Sequence, residues 1–147
     1  MDVFTFLKAH PLLGGFTDDG ITIIRAATTL REVPGGTPIF IEKMHGESAF
    51  LLVKGDVSLS LGNDEPLATL SAPSQFGELA LLTSGVRRAN AKAAVDCVLL
   101  EVNRRDFQNL MKQRPQACAK FLMNIAGAVG QRVVDASEPL ERLLRAR

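Results

Sequence analysis

The residues best equipped for chemistry lie together between Phe76 and Ala93, in the stretch FGELALLTSGVRRANAKA. Gly77 can take backbone angles closed to other residues, and without a Cβ it lets a ligand approach the main chain. Glu78-Leu79-Ala80-Leu81-Leu82 are good helix formers, which predicts a short helix beginning just after Gly77. The unpaired N–H groups at such a helix start face back along the chain and favour an anion. Further on, Ala89, Ala91 and Ala93 share one face of a predicted strand and Arg88, Asn90 and Lys92 the other, which puts Arg87 on the alanine face. An inward arginine among small residues calls for an anionic partner, because a buried unpaired charge is very costly. A helix start, a glutamate and an inward arginine this close in sequence point to a pocket for a small phosphate ester bearing hydroxyls. The competing reading is that Glu78 and Arg87 simply pair with each other across the loop.

The FGELALL run, followed by an arginine and then alanines at alternate positions, closely resembles the phosphate-binding cassette of cyclic-nucleotide-binding domains. Such domains occur in the catabolite activator protein, in regulatory subunits of cyclic-AMP-dependent kinase and in cyclic-nucleotide-gated channels. The resemblance implies that backbone amides of Gly77, Leu79 and Ala80 hold the cyclic phosphate or frame the ribose. It also implies that Glu78 accepts the ribose 2′-hydroxyl and that Arg87 grips the exocyclic phosphate oxygens, a charge-assisted contact. Arg88 and Ala89 complete the ligand-binding set. Two positions depart from the family pattern. Val86 stands where proline often precedes the arginine, which loosens the loop without removing a ligand contact. Arg88 stands where a small residue is usual, and it either adds positive charge at the pocket mouth, meets a base edge, or faces solvent with Asn90 and Lys92. Solvent is the favoured reading. Cyclic AMP is the expected ligand and cyclic GMP the alternative, because the serine or threonine that often favours guanine is absent from position 88.

The elements that must position these residues are legible on either side. Residues 1–30 form a predicted helical lead-in: Phe4, Phe6 and Leu7 make an apolar patch, Gly14-Gly15 interrupt it, and Thr17 is the N-cap of a second helix opened by Asp18 and Asp19. Ile21, Ile24 and Thr28 follow at helical spacing, while His10 and His45 read as loop and turn residues. Residues 31–102 change texture to short strands: Ile39–Ile41, Phe50–Val53, Val57–Leu61, Leu67–Leu70 and Val98–Val102, separated by turns at Gly35, Gly46, Gly55 and Gly62. This predicts an antiparallel β-roll, jelly-roll-like, with the cassette 76–93 inside it and helices flanking it. Residues 103–147 return to helix. Asn103 caps a helix from Arg104 to about Gln113, and Pro115 opens another whose stripe is Cys118, Phe121, Leu122, Ile125, Val129 and Val133. In the resembling family this last helix can swing over the pocket and cap the base. Gly127 and Gly130 weaken it by about 1 kcal/mol each, and they either permit a close approach or mark a bend. Ser137-Glu138-Pro139 is expected to break it, leaving an amphipathic end of Leu140, Leu143 and Leu144 with three arginines on a solvated face.

The 147 residues fit one domain, 1–147, with a core of useful size. At 46% apolar and 22% charged the composition is that of an ordinary globular chain, and a net charge of +1 argues against a nucleic-acid-coating protein. Cys97 and Cys118 sit in apolar patterns and read as buried free thiols in a reducing cytoplasm. No apolar run has the length of a membrane span. The few tens of residues after Pro115 leave no room for a helix-turn-helix, so DNA binding through the basic tail is the weakest reading. Two well-separated histidines offer no metal cluster, and no catalytic constellation is evident, so no enzyme activity, metal or cofactor is expected. The expectation is a stand-alone receptor domain that signals through its C-terminal helices to an effector protein or to a second copy of the chain in a homodimer. The alternative is a β-roll interaction module of the same fold that has lost its nucleotide.

Overall fold

A computed structural model describes residues 2–145. Two short helices open the chain: α1 (Val3–Ala9) and α2 (Asp18–Arg25), joined through a 3₁₀ turn at Pro11–Leu13. Asp2 caps α1, and the Thr17 hydroxyl accepts from Gly20 N–H at 3.1 Å at the start of α2. Eight strands follow: β1 (Thr28–Val33), β2 (Pro38–Phe40), β3 (Ser48–Lys54), β4 (Asp56–Leu61), β5 (Glu65–Ser71), β6 (Ser74–Phe76), β7 (Asn90–Ala93) and β8 (Cys97–Asn103). The one-turn helix α3 (Leu79–Leu82) lies between β6 and β7, and α4 (Arg104–Gln113) and α5 (Pro115–Arg145) end the chain. The strands form two antiparallel four-stranded sheets, ordered β1-β8-β3-β6 and β2-β7-β4-β5. This is the expected β-roll with flanking helices.

The apolar texture of each strand follows from what covers its faces. In β3, Ala49 and Leu51 pack toward the helices, while Phe50 and Leu52 enter the space between the sheets. In β8, Leu100 and Val102 take the helix side, and Cys97 and Leu99 the inter-sheet side. A strand covered on both faces reads as a continuous apolar run. By contrast β4 shows only partial burial apart from Val57, and its sequence alternates. The helix-side core is completed by Leu7, Ile21, Ile24, Phe107, Cys118, Phe121 and Ile125, so both termini are held against the same sheet. Burying each large side chain there contributes about 1.5–3 kcal/mol. Both cysteines are buried free thiols, and Cys97 Sγ–H donates to the carbonyl of Asp56 at 3.1 Å.

The structure departs from the sequence reading or adds to it in several places. The helical lead-in ends at Arg25 rather than near residue 30, and Thr28 pairs with Val102 as the first residue of β1. Strand β6 has no alternation to announce it, being only the tripeptide Ser74-Gln75-Phe76 against Leu52-Leu51-Phe50. Helix α5 does not break at Ser137-Glu138-Pro139 but runs through it to Arg145. The bond that Pro139 cannot donate belongs to the carbonyl of exposed Asp135, where water can take its place. The glycines of α5 bring nothing close, since a Cβ at Gly127 or Gly130 would meet no atom within 4 Å. Of the expected amphipathic tail, Leu143 and Leu144 are exposed, whereas Arg147 and the side chain of Leu140 lie outside the described residues. Among the described residues no helix is long and apolar enough to cross a membrane.

Candidate functional site

Strand β6 delivers the cassette into the roll. Phe76 is buried, with its ring centroid 5.2 Å from Phe50 and 5.9 Å from Phe40. The next residue, Gly77, takes φ +67°, which turns the chain from strand into α3. A Cβ there would lie 2.7 Å from Arg87 Nη1, so both the turn and the packing require glycine. Glu78 occupies the N-cap position of α3, but its side chain makes no capping bond. Ala80 N–H donates back to the carbonyl of Gly77 at 3.1 Å, so that amide is engaged within the turn. Leu79 is exposed, while Ala80 and Leu81 pack inward.

Arg87 is buried, at 9% exposure. Its inward direction does not come from strand alternation, because β7 begins only at Asn90 and Arg88-Ala89 form a bend. It comes instead from a clasp with the loop before β3: Arg87 N–H donates to Met44 O at 2.6 Å, and Lys43 N–H to Arg87 O at 2.8 Å. The side chain then runs past Gly46, where a Cβ would lie 2.8 Å from Nε. Nη2 donates to the carbonyl of Ser48 at 2.7 Å and Nη1 to that of Gly77 at 3.3 Å. The guanidinium carbon sits 4.1 Å from the centre of the Phe40 ring. Nε has no partner, and no carboxylate of the described residues lies in ion-pair range. Burial lowers the pKa of Arg87, while the nearby Glu101 carboxylate works the other way. A buried cation held by neutral carbonyls and a ring is the state of a group that lacks its counter-ion.

A cavity of about 470 Å³ opens beside this arginine, with Phe40, His45, Ser48, Phe50 and Glu101 among its walls. Glu101 is engaged there, accepting from Arg31 Nη1 at 3.1 Å and from the Ser48 hydroxyl at 2.5 Å.

Glu78 is 2% exposed and does not pair with Arg87. Its Oε1 instead meets the guanidinium of Arg132, which reaches in from α5. The alternative of a Glu78–Arg87 pair across the loop is therefore not what forms. Of the seven candidate positions, Gly77 and Arg87 are in direct contact, and Glu78 and Ala80 are buried beside them in the same turn. Arg88 is exposed and Ala89 half-buried, which keeps Arg88 on the solvent side. Sequence reasoning missed Gly46, Ser48, Phe40 and Phe50 around Arg87, and Arg132 on Glu78. Gly46 carried only a turn signal, and no local pattern singled out Arg132. His10 is no loose loop residue: it is buried, its Nδ1 accepting from Leu12 N–H at 3.1 Å and its Nε2–H donating to Ser74 O at 2.8 Å.

Comparison with known proteins gives a consistent family signal. A model described as "Cyclic nucleotide-binding domain" matches residues 30–114. The chain is 30% identical over 139 residues to Glutaminase 1 of Bradyrhizobium diazoefficiens, covering 95% of this chain and 22% of that protein. It is 30% identical over 141 residues to the Cyclic AMP receptor protein of Thermus thermophilus, covering 93% of this chain and 63% of the relative. It superposes on the crystal structure of the Thermus thermophilus catabolite activator protein with a TM-score of 0.77 at 29% identity, covering 90% of this chain and 62% of that one. The chain thus spans only part of each of these proteins.

Proposed function

Since this chain belongs to the cyclic nucleotide-binding domain family, we propose that it is a receptor for a cyclic nucleotide, with cyclic AMP as the ligand. The observation that carries this reading is Arg87, a buried guanidinium with no carboxylate partner, set against the Gly77 turn. In the proposal the cyclic phosphate docks on Arg87 and the turn amides of Gly77, Leu79 and Ala80. Arg87 then exchanges its bonds to the Ser48 and Gly77 carbonyls, in which only the donor is charged, for bonds to an anion, in which both partners are. Glu78 accepts the ribose hydroxyl. Ala89 lines the inner side, and Arg88 stays at the mouth, where it leaves the base unselected for guanine. Occupancy is read through α5 by an effector protein or a second copy of the chain, by favouring one of two arrangements of that helix. This role needs no catalytic group, no metal and no DNA or membrane contact, and the buried free thiols Cys97 and Cys118 suit the reducing cytoplasm.

A second reading has its own support. Ala80 N–H and two Arg87 nitrogens are already hydrogen-bonded within the protein, as in an interaction module that has no need of nucleotide. Thermal unfolding with cyclic AMP, cyclic GMP and non-cyclic AMP separates the two. Ligand at about a hundred times its dissociation constant stabilises the native state by roughly 2.7 kcal/mol, a midpoint rise on the order of 5–10 °C for a domain of this size. A rise with cyclic AMP and none with AMP is expected. No rise with any of the three would favour the interaction module.

A further inference from the structure

We propose that Glu101 and Arg31 set the anion affinity of this site from behind Arg87: the Glu101 carboxylate opposes a phosphate there, and the Arg31 guanidinium offsets that opposition. The inference rests on the receptor reading above and adds which charges tune its affinity.

The sheet register builds the arrangement. Strand β8 runs between β1 and β3, with Glu101 opposite Thr29 on one side and Phe50 on the other. Arg31 and Ser48 are therefore its diagonal neighbours on the same face, the face that Leu99 and Phe50 turn toward the space between the sheets. Both carboxylate oxygens are engaged: Oε1 accepts from Arg31 Nη1 at 3.1 Å and Oε2 from the Ser48 hydroxyl at 2.5 Å. Ser48 also serves Arg87, its carbonyl accepting from Nη2 at 2.7 Å. Buried Ser48 thus stands between the carboxylate and the Arg87 guanidinium, which form no ion pair with each other. Arg31, Glu101 and Arg87 nevertheless line one cavity. The field of Glu101 reaches Arg87 there: burial disfavours the charged guanidinium, and Glu101 works against that penalty. Glu47 also lines the cavity, but it is exposed to water.

The same field has opposite consequences in the empty and the occupied site. Without ligand, Glu101 favours the charge on Arg87, which has no carboxylate of its own to pair with. With a phosphate on Arg87, Glu101 repels the newcomer, and Arg31 attracts it. Removing either charge therefore shifts affinity in opposite directions. An Arg31–Glu101 pair that only braced β1 against β8 would give the same sign, or none, whichever partner was removed.

The test is titration calorimetry of cyclic AMP into the full chain, comparing wild type with Glu101→Gln, Arg31→Gln and the double variant at low and high salt. Circular dichroism verifies that each is folded. Glutamine at 101 keeps an acceptor for the Ser48 hydroxyl and removes only the charge. Glu101→Gln is expected to bind on the order of tenfold more tightly, Arg31→Gln more weakly by a similar factor, and the double variant near wild type. The spread is expected to contract in about 1 M salt, where screening acts within roughly 3 Å. Equal or weaker binding by Glu101→Gln, both single variants moving in one direction, or a spread indifferent to salt overturns the tuning and leaves the receptor reading standing. Should Glu101→Gln fail to fold, Arg31→Gln, whose side chain is 44% exposed, decides alone. Unchanged or tighter binding by that variant overturns the tuning. If none of these proteins binds cyclic AMP, the receptor reading falls and the tuning falls with it.

Discussion

The helix-side core and the mouth of the roll are built on opposite rules. Between the first sheet and helices α2, α4 and α5 the core is an apolar cluster: Phe107 lies 5.8 Å from Phe121, in one cluster with Ile125, Leu100 and Val102. At the mouth of the roll, a glutamate and an arginine are buried within a few residues of one another and are not paired. Two nitrogens of Arg87 donate to carbonyls while Nε has no partner, and Glu78 meets a residue from a distant helix. The first region explains why the chain folds. The second is where stability is spent, since a protein seeking only stability would fill that space with hydrocarbon. In the proposed receptor role, the anionic ligand supplies the counter-charge that buried Arg87 does not find among the described side chains.

The contrast can be broken first on the core side. Phe121→Ala is expected to cost about 3–5 kcal/mol, seen as a large fall in the denaturant midpoint, while ligand affinity of the folded fraction stays near wild type. A large loss of affinity in that folded fraction would mean that the two regions are not separable. Next comes Gly77→Ala. The new Cβ would be 2.7 Å from Arg87 Nη1 on a residue with φ +67°, so about 1–3 kcal/mol of strain is expected. Unlike Phe121→Ala, this change should lower affinity more than its stability cost accounts for.

His10 sharpens the comparison from a third place, because it ties the lead-in to the strand that delivers the cassette. Burial lowers its pKa, opposed by its bond to Ser74 O. The unfolded chain therefore binds this proton more readily, and the stabilisation is full above the unfolded value near 6.5. Stability is expected to fall as pH drops below about 6.5. In His10→Asn, which keeps a capping acceptor for Leu12 N–H, that part of the slope should flatten. An unaltered slope would place the titration elsewhere. The smallest effect is expected at Gly130→Ala. With open space around it on α5, alanine should stabilise by about 0.5–1 kcal/mol, and a loss of stability would show a packing role that the open surroundings do not reveal.

What the sequence made legible was whatever a local pattern encodes. The turn at Gly77, helix α3, the caps Thr17 and Asn103, and strands β3, β4, β7 and β8 each rest on a few contiguous residues. The inward direction of Arg87 was reached by strand parity, yet the fold achieves it by a clasp to Met44 and Lys43, a long-range cause no local pattern could supply. Strand β6 is too short to show a period, and its place is set by pairing with β3. Pro139 carries a strong local signal to stop a helix, but α5 continues through it along an exposed stretch where water can take the missing bond. The Arg132–Glu78 pair depends on where α5 crosses the cassette, which lies in tertiary packing and not in spacing.

The most direct test of the central claim is titration calorimetry of cyclic AMP into the wild-type chain and Arg87→Ala, with circular dichroism to verify that both are folded. The account predicts saturable binding by the wild type and a loss of at least on the order of a hundredfold in the variant, as expected when a desolvated charge partner is removed. Equal affinity in two folded proteins would contradict it, and Arg87 would then be a structural arginine rather than the anchor of a ligand site.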